Sequence, residues 1–306
     1  MKNTQSTIDM TRDEWLDARR KGLGGSDAGA ILGLSKWSTP LDVYLDKIGE
    51  KPPQDESEPM HWGNVLEPLV AEEYARRSGN KVRRNNRILS HAKHPFIKAN
   101  LDREIVGKNG ILEVKTARYA DGWGEVGTDI VPDTYLAQVT HYMAVTNTQF
   151  SDVAVLIGGS DFRIYHIKRD EELVEMMIER EVAFWNDHVL ARIAPDPINV
   201  SDTANRWPND NGESIVASKI PAQQVASLRA IKAKIKDLNS QAKGLEVEIK
   251  KEMAEASLLL DADGHPLASW KEKLSKRLDT KRFKAEQADV WQKYAVESSS
   301  RTFLIK

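Results

Sequence analysis

The segment Asn100-Leu-Asp-Arg-Glu-Ile-Val-Gly-Lys-Asn-Gly-Ile-Leu-Glu-Val-Lys115 reads as parts of two strands, Ile97–Val106 and Ile111–Thr116, joined by a tight turn at Lys108-Asn109-Gly110. Period-two alternation places Glu113 and Lys115 on one face of the second strand. The turn brings Asp102 back beside them. Ile111, Leu112 and Val114 are buried-strand residues, so the charges interrupt an otherwise apolar strand. Charge buried without pairing or metal costs on the order of several kcal/mol. Two carboxylates on one face repel unless a cation lies between them, and their oxygens suit a hard divalent ion such as Mg2+, with the backbone carbonyl of Val114 as a further ligand. Water activated by such an ion is a nucleophile for phosphodiester hydrolysis, and Lys115 is placed to act as its base or its orienter. The plainer alternative for this pattern is a set of cross-strand charge pairs on a solvated face.

Outward from this segment, Lys81–Leu89 reads as a strand and Asp133–Val145 as a helix with Leu136, Val139, Tyr142 and Met143 at helical spacing. Val153–Ile157 and Phe162–Ile167 form a hairpin around Gly158-Gly159-Ser160-Asp161, and Asp170–Ile193 is a long helix. Upstream, Thr11-Arg-Asp-Glu14 is a capping box opening a helix that carries Trp15, Leu16 and Ala18 and stops near Gly22. Ser26 and Asp27 cap a second helix, Ala28–Leu32. A third runs from about Asn64 to Arg77, and Pro68 implies that its first turn lies close to Glu67. Helices, a meander, a helix, a hairpin and a helix together predict an α/β sandwich with a mixed central sheet.

Residues 196–220 are rich in Pro, Asn, Asp and Ser and read as a linker between a core, 1–195, and an extension, 221–306. In the extension Gln223–Ala256 repeats apolar residues at alternating spacings of three and four, a coiled-coil seam. Strands at Ser257–Leu260 and Leu267–Trp270, a helix at Thr280–Tyr294 and a strand at Thr302–Ile305 make a small α+β tail.

With 306 residues, 40% of them hydrophobic and 29% charged, the chain is long and apolar enough to fold around a core of enzyme size. The absence of cysteine excludes a disulfide framework, a thiol nucleophile and thiolate metal sites. No apolar run reaches the roughly 18 residues of a membrane span, and the N-terminus lacks a secretory apolar core, so a cytoplasmic protein is expected. The net charge of −2 hides an asymmetry: residues 221–306 hold 17 Lys and Arg against 12 Asp and Glu, a balance of +5, and the rest has −7.

Glu67, Asp102, Glu113-Val-Lys115 and Gln138, in that order, resemble the PD-(D/E)XK nucleases. More narrowly, the chain resembles the YqaJ and lambda-exonuclease branch of phage recombination nucleases. The specific marks are Trp15-Leu-Asp-Ala-Arg19 running into Gly22-Leu-Gly-Gly-Ser-Asp-Ala28, then Trp62-Gly63 before Glu67, and Tyr135-Leu-Ala-Gln-Val-Thr-His-Tyr142. They span about residues 11–195. The family's proline–aspartate pair appears here as Leu101-Asp102. The resemblance implies a restriction-endonuclease-like core, with a metal held by Asp102, Glu113 and the carbonyl of Val114. It implies Lys115 acting on the nucleophilic water, Glu67 completing a second metal position or orienting water, and Gln138 hydrogen-bonding nearby. Arg19 and Ser26 would grip the phosphate at a DNA end. Gly22-Leu-Gly-Gly fits that reading unaided, by letting backbone approach an anion at a helix start; a simple glycine turn with a capping serine is the alternative.

Arg76, Arg77, Lys81, Arg83, Arg84 and Arg87 form a basic run suited to phosphates or, equally, to a solvated edge. Lys36 and Trp37 are candidates for DNA contact, with core packing the alternative for Trp37. His91 and His94 read as a loop pair, and His141 as a packing residue. Lys271, Lys273, Lys276, Arg277, Lys281, Arg282 and Lys284, interleaved with Trp270 and Phe283, suit nucleic-acid contact or a solvated basic face. The coiled-coil seam suits self-association, bracing of the core or pairing with another protein.

The expected function is that of an Mg2+-dependent deoxyribonuclease, with Mn2+ as a substitute ion. The resemblance implies a 5′→3′ exonuclease on duplex DNA ends, a homo-oligomer encoded by a phage or prophage, and a single-strand annealing protein as partner. The alternatives are a structure-specific or nicking endonuclease, and a non-catalytic DNA-binding scaffold. Against the scaffold stands the intact acidic set, because a binder gains nothing from carboxylates beside phosphate.

Overall fold

The computed structural model of the chain describes residues 4–51, 56–297 and 299–305. The chain divides into two compact units, Met1–Arg206 and Trp207–Lys306.

In the first unit a short strand, β1 (Thr4–Ser6), precedes α1 (Arg12–Arg20), whose Thr11 capping box forms as expected: Thr11 Oγ1 accepts from the Glu14 amide and Glu14 accepts from the Thr11 amide at 2.8 Å. Then follow α2 (Gly25–Ile31), α3 (Pro40–Lys47) and α4 (Glu58–Ser78). Strands β2 (Val82–Arg84), β3 (Arg87–Ser90), β4 (Lys98–Ala99), β5 (Arg103–Ile105) and β6 (Gly110–Ala117) lead to α5 (Asp133–Thr146). The hairpin of β7 (Phe150–Ile157) and β8 (Asp161–Lys168) comes next. Helix α6 (Glu171–Phe184) continues as a π-helical segment, Trp185–Leu190, and α7 (Val200–Arg206) closes the unit.

The main sheet has the order β2-β5-β6-β7-β8, antiparallel throughout except for the parallel pair β6–β7. Alternation along β6 sorts its side chains. Leu112 and Val114 pack with Val70, Ala71 and Tyr74 of α4, while Ile111 joins Val139, Tyr142 and Met143 of α5 on the other face. Glu113 and Lys115 therefore lie on the α5 face. A third cluster, Leu23, Leu41, Tyr44, Phe184 and Val189, ties α3 to the end of α6. The tyrosine hydroxyl of Tyr74 is buried against Asp152 of β7, which also accepts from His166, fixing α4 to the sheet.

Several expected elements differ. The strand read at 81–89 is two strands, because Asn85 and Asn86 turn the chain from the main sheet into a second one, β1-β3-β4. The strand read at 97–106 is broken at Asn100-Leu101-Asp102, so Asp102 sits in a gap in the ladder rather than on a strand. Helix α4 starts at Glu58 and runs through Pro68; its first half is exposed, so solvent can serve the Asn64 carbonyl that the proline leaves without a donor. Helix α3 has no counterpart in the sequence reading, although Thr39-Pro-Leu-Asp42 carries a capping pattern with proline at the first helical position. Helix α7 forms inside the stretch read as a linker, anchored by Asp202, which accepts from Thr39 Oγ1 at 2.9 Å and from the Ile198 amide at 3.0 Å.

The second unit contains α8 (Lys219–Met253), a hairpin of β9 (Leu258–Leu260) and β10 (Pro266–Ser269), and two short helices, α9 (Thr280–Glu286) and α10 (Ala288–Tyr294). The helix read at 280–294 is thus interrupted at Gln287, and Thr302–Ile305 forms no strand.

Candidate active site

Where β6 passes the gap after β4, the carboxylates converge. The Val114 amide, on the side of β6 beyond the end of β5, donates to Asp102 Oδ2 at 2.8 Å. That bond holds Asp102 against the strand that carries Glu113 and Lys115. Lys115 Nζ donates to Glu113 Oε1 at 2.6 Å and to Gln138 Oε1 at 3.0 Å, and it lies 4.9 Å from the centre of the Tyr135 ring. Gln138 Nε2 donates to Glu113 Oε1 at 2.7 Å and to the Tyr142 hydroxyl at 3.0 Å. Two successive helical turns thus present Tyr135, Gln138 and Tyr142 to the same strand face.

Glu67 reaches the site from α4. Arg103, a buried residue, donates from Nη1 to Glu67 Oε1 at 2.5 Å and to the Asp102 carbonyl at 2.7 Å. The sequence reading omits Arg103. Its signal was available, since Arg103 shares a strand face with the buried Ile105, and a cation at an inward position requires an anionic partner.

Glu67, Asp102, Glu113, Val114, Lys115, Tyr135, Gln138 and Tyr142 line one cavity of about 470 Å³, and Arg19 and Ser26 line it too. Arg19 lies over the Trp15 ring, 4.8 Å from its centre, and its Nη2 donates to Ser26 Oγ at 2.9 Å. Ser26 is not the cap of α2. Gly24 occupies that position, and the Asp27 carboxylate accepts from the Gly24 amide at 2.9 Å. Asp27 also meets Lys47 Nζ at 2.8 Å, and the same ammonium donates to the Arg19 carbonyl at 3.4 Å, so one buried lysine ties α1, α2 and α3 together. Burial alone would raise the Asp27 pKa, but Lys47 and Arg19 outweigh it and hold the carboxyl below its usual range.

Packing requires two of the glycines. A Cβ on Gly22 would lie 2.3 Å from the Phe96 carbonyl oxygen, and one on Gly25 only 2.4 Å from the Tyr142 ring. Gly25→Ala is expected to cost about 1–3 kcal/mol in stability through overpacking. It should also slow catalysis by pushing Tyr142 and, through it, Gln138; thermal unfolding and rate measurements on the one variant check both effects.

His141 does more than pack. Its Nδ1 meets Glu181 Oε1 at 2.6 Å and its Nε2 meets the Lys98 carbonyl at 2.7 Å, with both side chains fully buried. Burial opposes protonation of His141, yet Glu181 overrides it and raises the pKa above the ordinary histidine value. Lys98 in turn donates to the Ala18 carbonyl at 2.9 Å, so this chain of bonds links α6, α5 and α1, which carry Gln138 and Arg19 to the cavity.

The basic run is not at the site. Arg76 and Arg77 are paired with Glu73, and Arg83 and Arg87 with Glu104; these two, Lys81 and Arg84 are exposed, and none of the six lines the cavity. Trp37 is not core either: it is 72% exposed and stacks beside Tyr135 at 6.4 Å. In the tail, Lys284 covers Trp291 at 4.1 Å and Lys250 covers Trp270 at 5.2 Å.

The donor set fits a hard cation. Glu113 is 3% exposed and its Oε2 is a buried oxygen with no hydrogen-bond partner among the described residues. Burial and the neighbouring Glu113 charge push the Asp102 carboxyl well above its usual range. A divalent ion between them would supply the missing partner and relieve the repulsion. Burial lowers the Lys115 pKa, but Glu113 and Asp102 outweigh it and hold the ammonium above its ordinary value.

Residues 14–149 match the YqaJ-like viral recombinase domain. The chain is 42% identical over 307 residues to the YqaJ protein of Bacillus subtilis (strain 168), covering 97% of this chain and 95% of that one. Among solved structures it is similar to the alkaline exonuclease of Laribacter hongkongensis, with a TM-score of 0.47 and 19% identity over 59% of this chain and 94% of that one. It is also similar to a phage-related exonuclease from Haemophilus somnus 129PT, with a TM-score of 0.44 and 13% identity over 56% of this chain and 96% of that one.

Proposed function

The chain belongs to the YqaJ-like viral recombinase family, and from that premise we propose that it is a divalent-metal-dependent deoxyribonuclease. It degrades one strand of duplex DNA from an end in the 5′→3′ direction and leaves a 3′ single strand for a single-strand annealing protein. The observation that carries this reading is the convergence of Glu67, Asp102, Glu113 and Lys115 on the cavity that also holds Arg19 and Ser26. A carboxylate cluster serves hydrolysis, and the Arg19–Ser26 pair beside it gives a terminal phosphate a place to bind.

Asp102, Glu113 and the Val114 carbonyl would hold Mg2+, with Mn2+ a substitute, and Glu67 would hold a second position or orient water. When bound, the ion polarises the phosphate, favours a water nucleophile and offsets charge on the leaving oxygen. Lys115, protonated and fixed between Glu113 and Gln138, orients the attacking water and places positive charge beside the phosphoryl oxygens. Gln138 keeps Lys115 and Glu113 in register. Arg103 positions Glu67.

Linear duplexes with 5′-phosphate or 5′-hydroxyl ends, and closed circles, incubated with Mg2+ or EDTA, test the proposal. Linear ends are digested with Mg2+, 5′-phosphate ends faster, and circles survive. Charge-assisted hydrogen bonds contribute about 1.5–3 kcal/mol, so Arg19→Ala should reduce the preference for 5′-phosphate by about 10–100-fold while 5′-hydroxyl ends are cut at nearly the original rate. Cleavage of circles would support an endonuclease, and binding without digestion a scaffold.

A further inference from the structure

Helix α8 spans 35 residues, and the described residues of its own unit do not cover its apolar seam: Ile231, Ile235, Leu238, Leu245 and Ile249 are each between 44% and 68% exposed. Ile235, Ala242 and Ile249 occupy the first core position of successive heptads, and Ile231, Leu238 and Leu245 the second. Such a stripe on a single helix calls for a partner helix.

The flanking charges identify the partner. Lys232 and Lys234 border the first half of the seam, and Glu246 and Glu248 border the second. In a parallel pair of copies Lys234 would face Asn239 and Gln241 would face Glu246, so no opposite charges meet. Reversing one copy about residue 240 changes this. Ile235 then packs against Leu245 of the second copy, Ala242 against Leu238, and Ile249 against Ile231. In the same register Lys232 faces Glu246, and Lys234 faces Glu248. Two-fold symmetry repeats each pair, giving four. A pattern that complements its own reversal is what an isologous contact requires. The existing Glu246–Lys250 and Glu248–Lys251 pairs within the helix are exposed and weak enough to yield.

We propose that α8 is the dimerisation element of this protein, pairing antiparallel with α8 of a second copy in the register centred on residue 240. This does not depend on the nuclease reading.

The test uses the full chain in light scattering or sedimentation. Lys232→Glu with Lys234→Glu sets like charges at all four flanking contacts and should weaken the association at least about tenfold, halving the mass at a concentration where the parent is assembled. Adding Glu246→Lys and Glu248→Lys to the same chain should restore it, which a mere folding defect would not allow. Because the chain has no cysteine, single cysteines report the register. Gln241→Cys, which meets itself across the axis, should be cross-linked by a short bis-maleimide, and Leu245→Cys should not. A mass unaffected by the charge reversal, or cross-linking of Leu245→Cys without Gln241→Cys, would overturn the proposal.

Discussion

Lys115→Ala is expected to slow hydrolysis of linear duplex DNA by about 10²–10⁴-fold, the range seen when a positioned proton-transfer or charge-stabilising group is removed. The effect is large because the ammonium has three fixed neighbours, Glu113, Gln138 and the Tyr135 ring, and a water molecule cannot supply its charge. A second consequence falls on stability. Glu113 would lose its cation while remaining buried, and breaking a buried pair costs about 3–5 kcal/mol. Lys115→Arg separates the two effects. It returns a positive charge and therefore most of the metal-free stability, but a planar guanidinium does not fit where one nitrogen meets both Glu113 Oε1 and Gln138 Oε1. Recovered unfolding temperature without recovered activity is the expected result, read by thermal denaturation and single-turnover rates.

Asp102→Asn should separate function from stability in the opposite sense. Activity should fall by about 10³-fold or more with loss of a metal-holding carboxylate, while the metal-free protein becomes more stable. Asn retains an oxygen for the Val114 amide and removes the repulsion with Glu113. The sign follows from linkage. The folded Asp102 pKa lies above the unfolded value, so between the two the folded state binds more protons, and stability falls as pH rises through that window. Asparagine does not titrate, so its advantage should be small near pH 4 and grow toward neutrality. One kcal/mol corresponds to about 2–4 °C for a unit of this size, and a gain of that order near pH 8 is expected. Thermal unfolding in EDTA at several pH values reads it directly.

Much of this site was legible in the sequence because its geometry is local. Period-two alternation and a tight turn suffice to place Glu113 and Lys115 on one face with Asp102 beside them. Gln138 is named through the family resemblance, and helix α5 does bring it to that face. Features that depend on register or packing were not legible. Asp102 sits in a gap in the ladder, which only the Val114–Asp102 bond reveals. The pairing of Arg83 and Arg87 with Glu104 follows from the β2–β5 register, which spacing along the chain does not give. Glu73, three and four residues before Arg76 and Arg77, was a local sign of their pairing. The glycines at 22 and 25 suggested an anion cradle; their packing neighbours, the Phe96 carbonyl and the Tyr142 ring, are groups distant in sequence. His141 likewise found Glu181, forty residues away, and no spacing rule foretells that pair.

On the proposed function, Asp102 and its neighbours form the hydrolytic site of an enzyme that works from DNA ends. The most direct measurement follows a linear 5′-phosphorylated duplex labelled at either the 5′ or the 3′ terminus, with parent protein and Asp102→Asn, in Mg2+ and in EDTA. The prediction is early release of the 5′ label by the parent in Mg2+, a 3′ label that persists on single-stranded DNA, and no release in EDTA or by Asp102→Asn. Release by Asp102→Asn at the parent's rate, or release without a divalent ion, would contradict it.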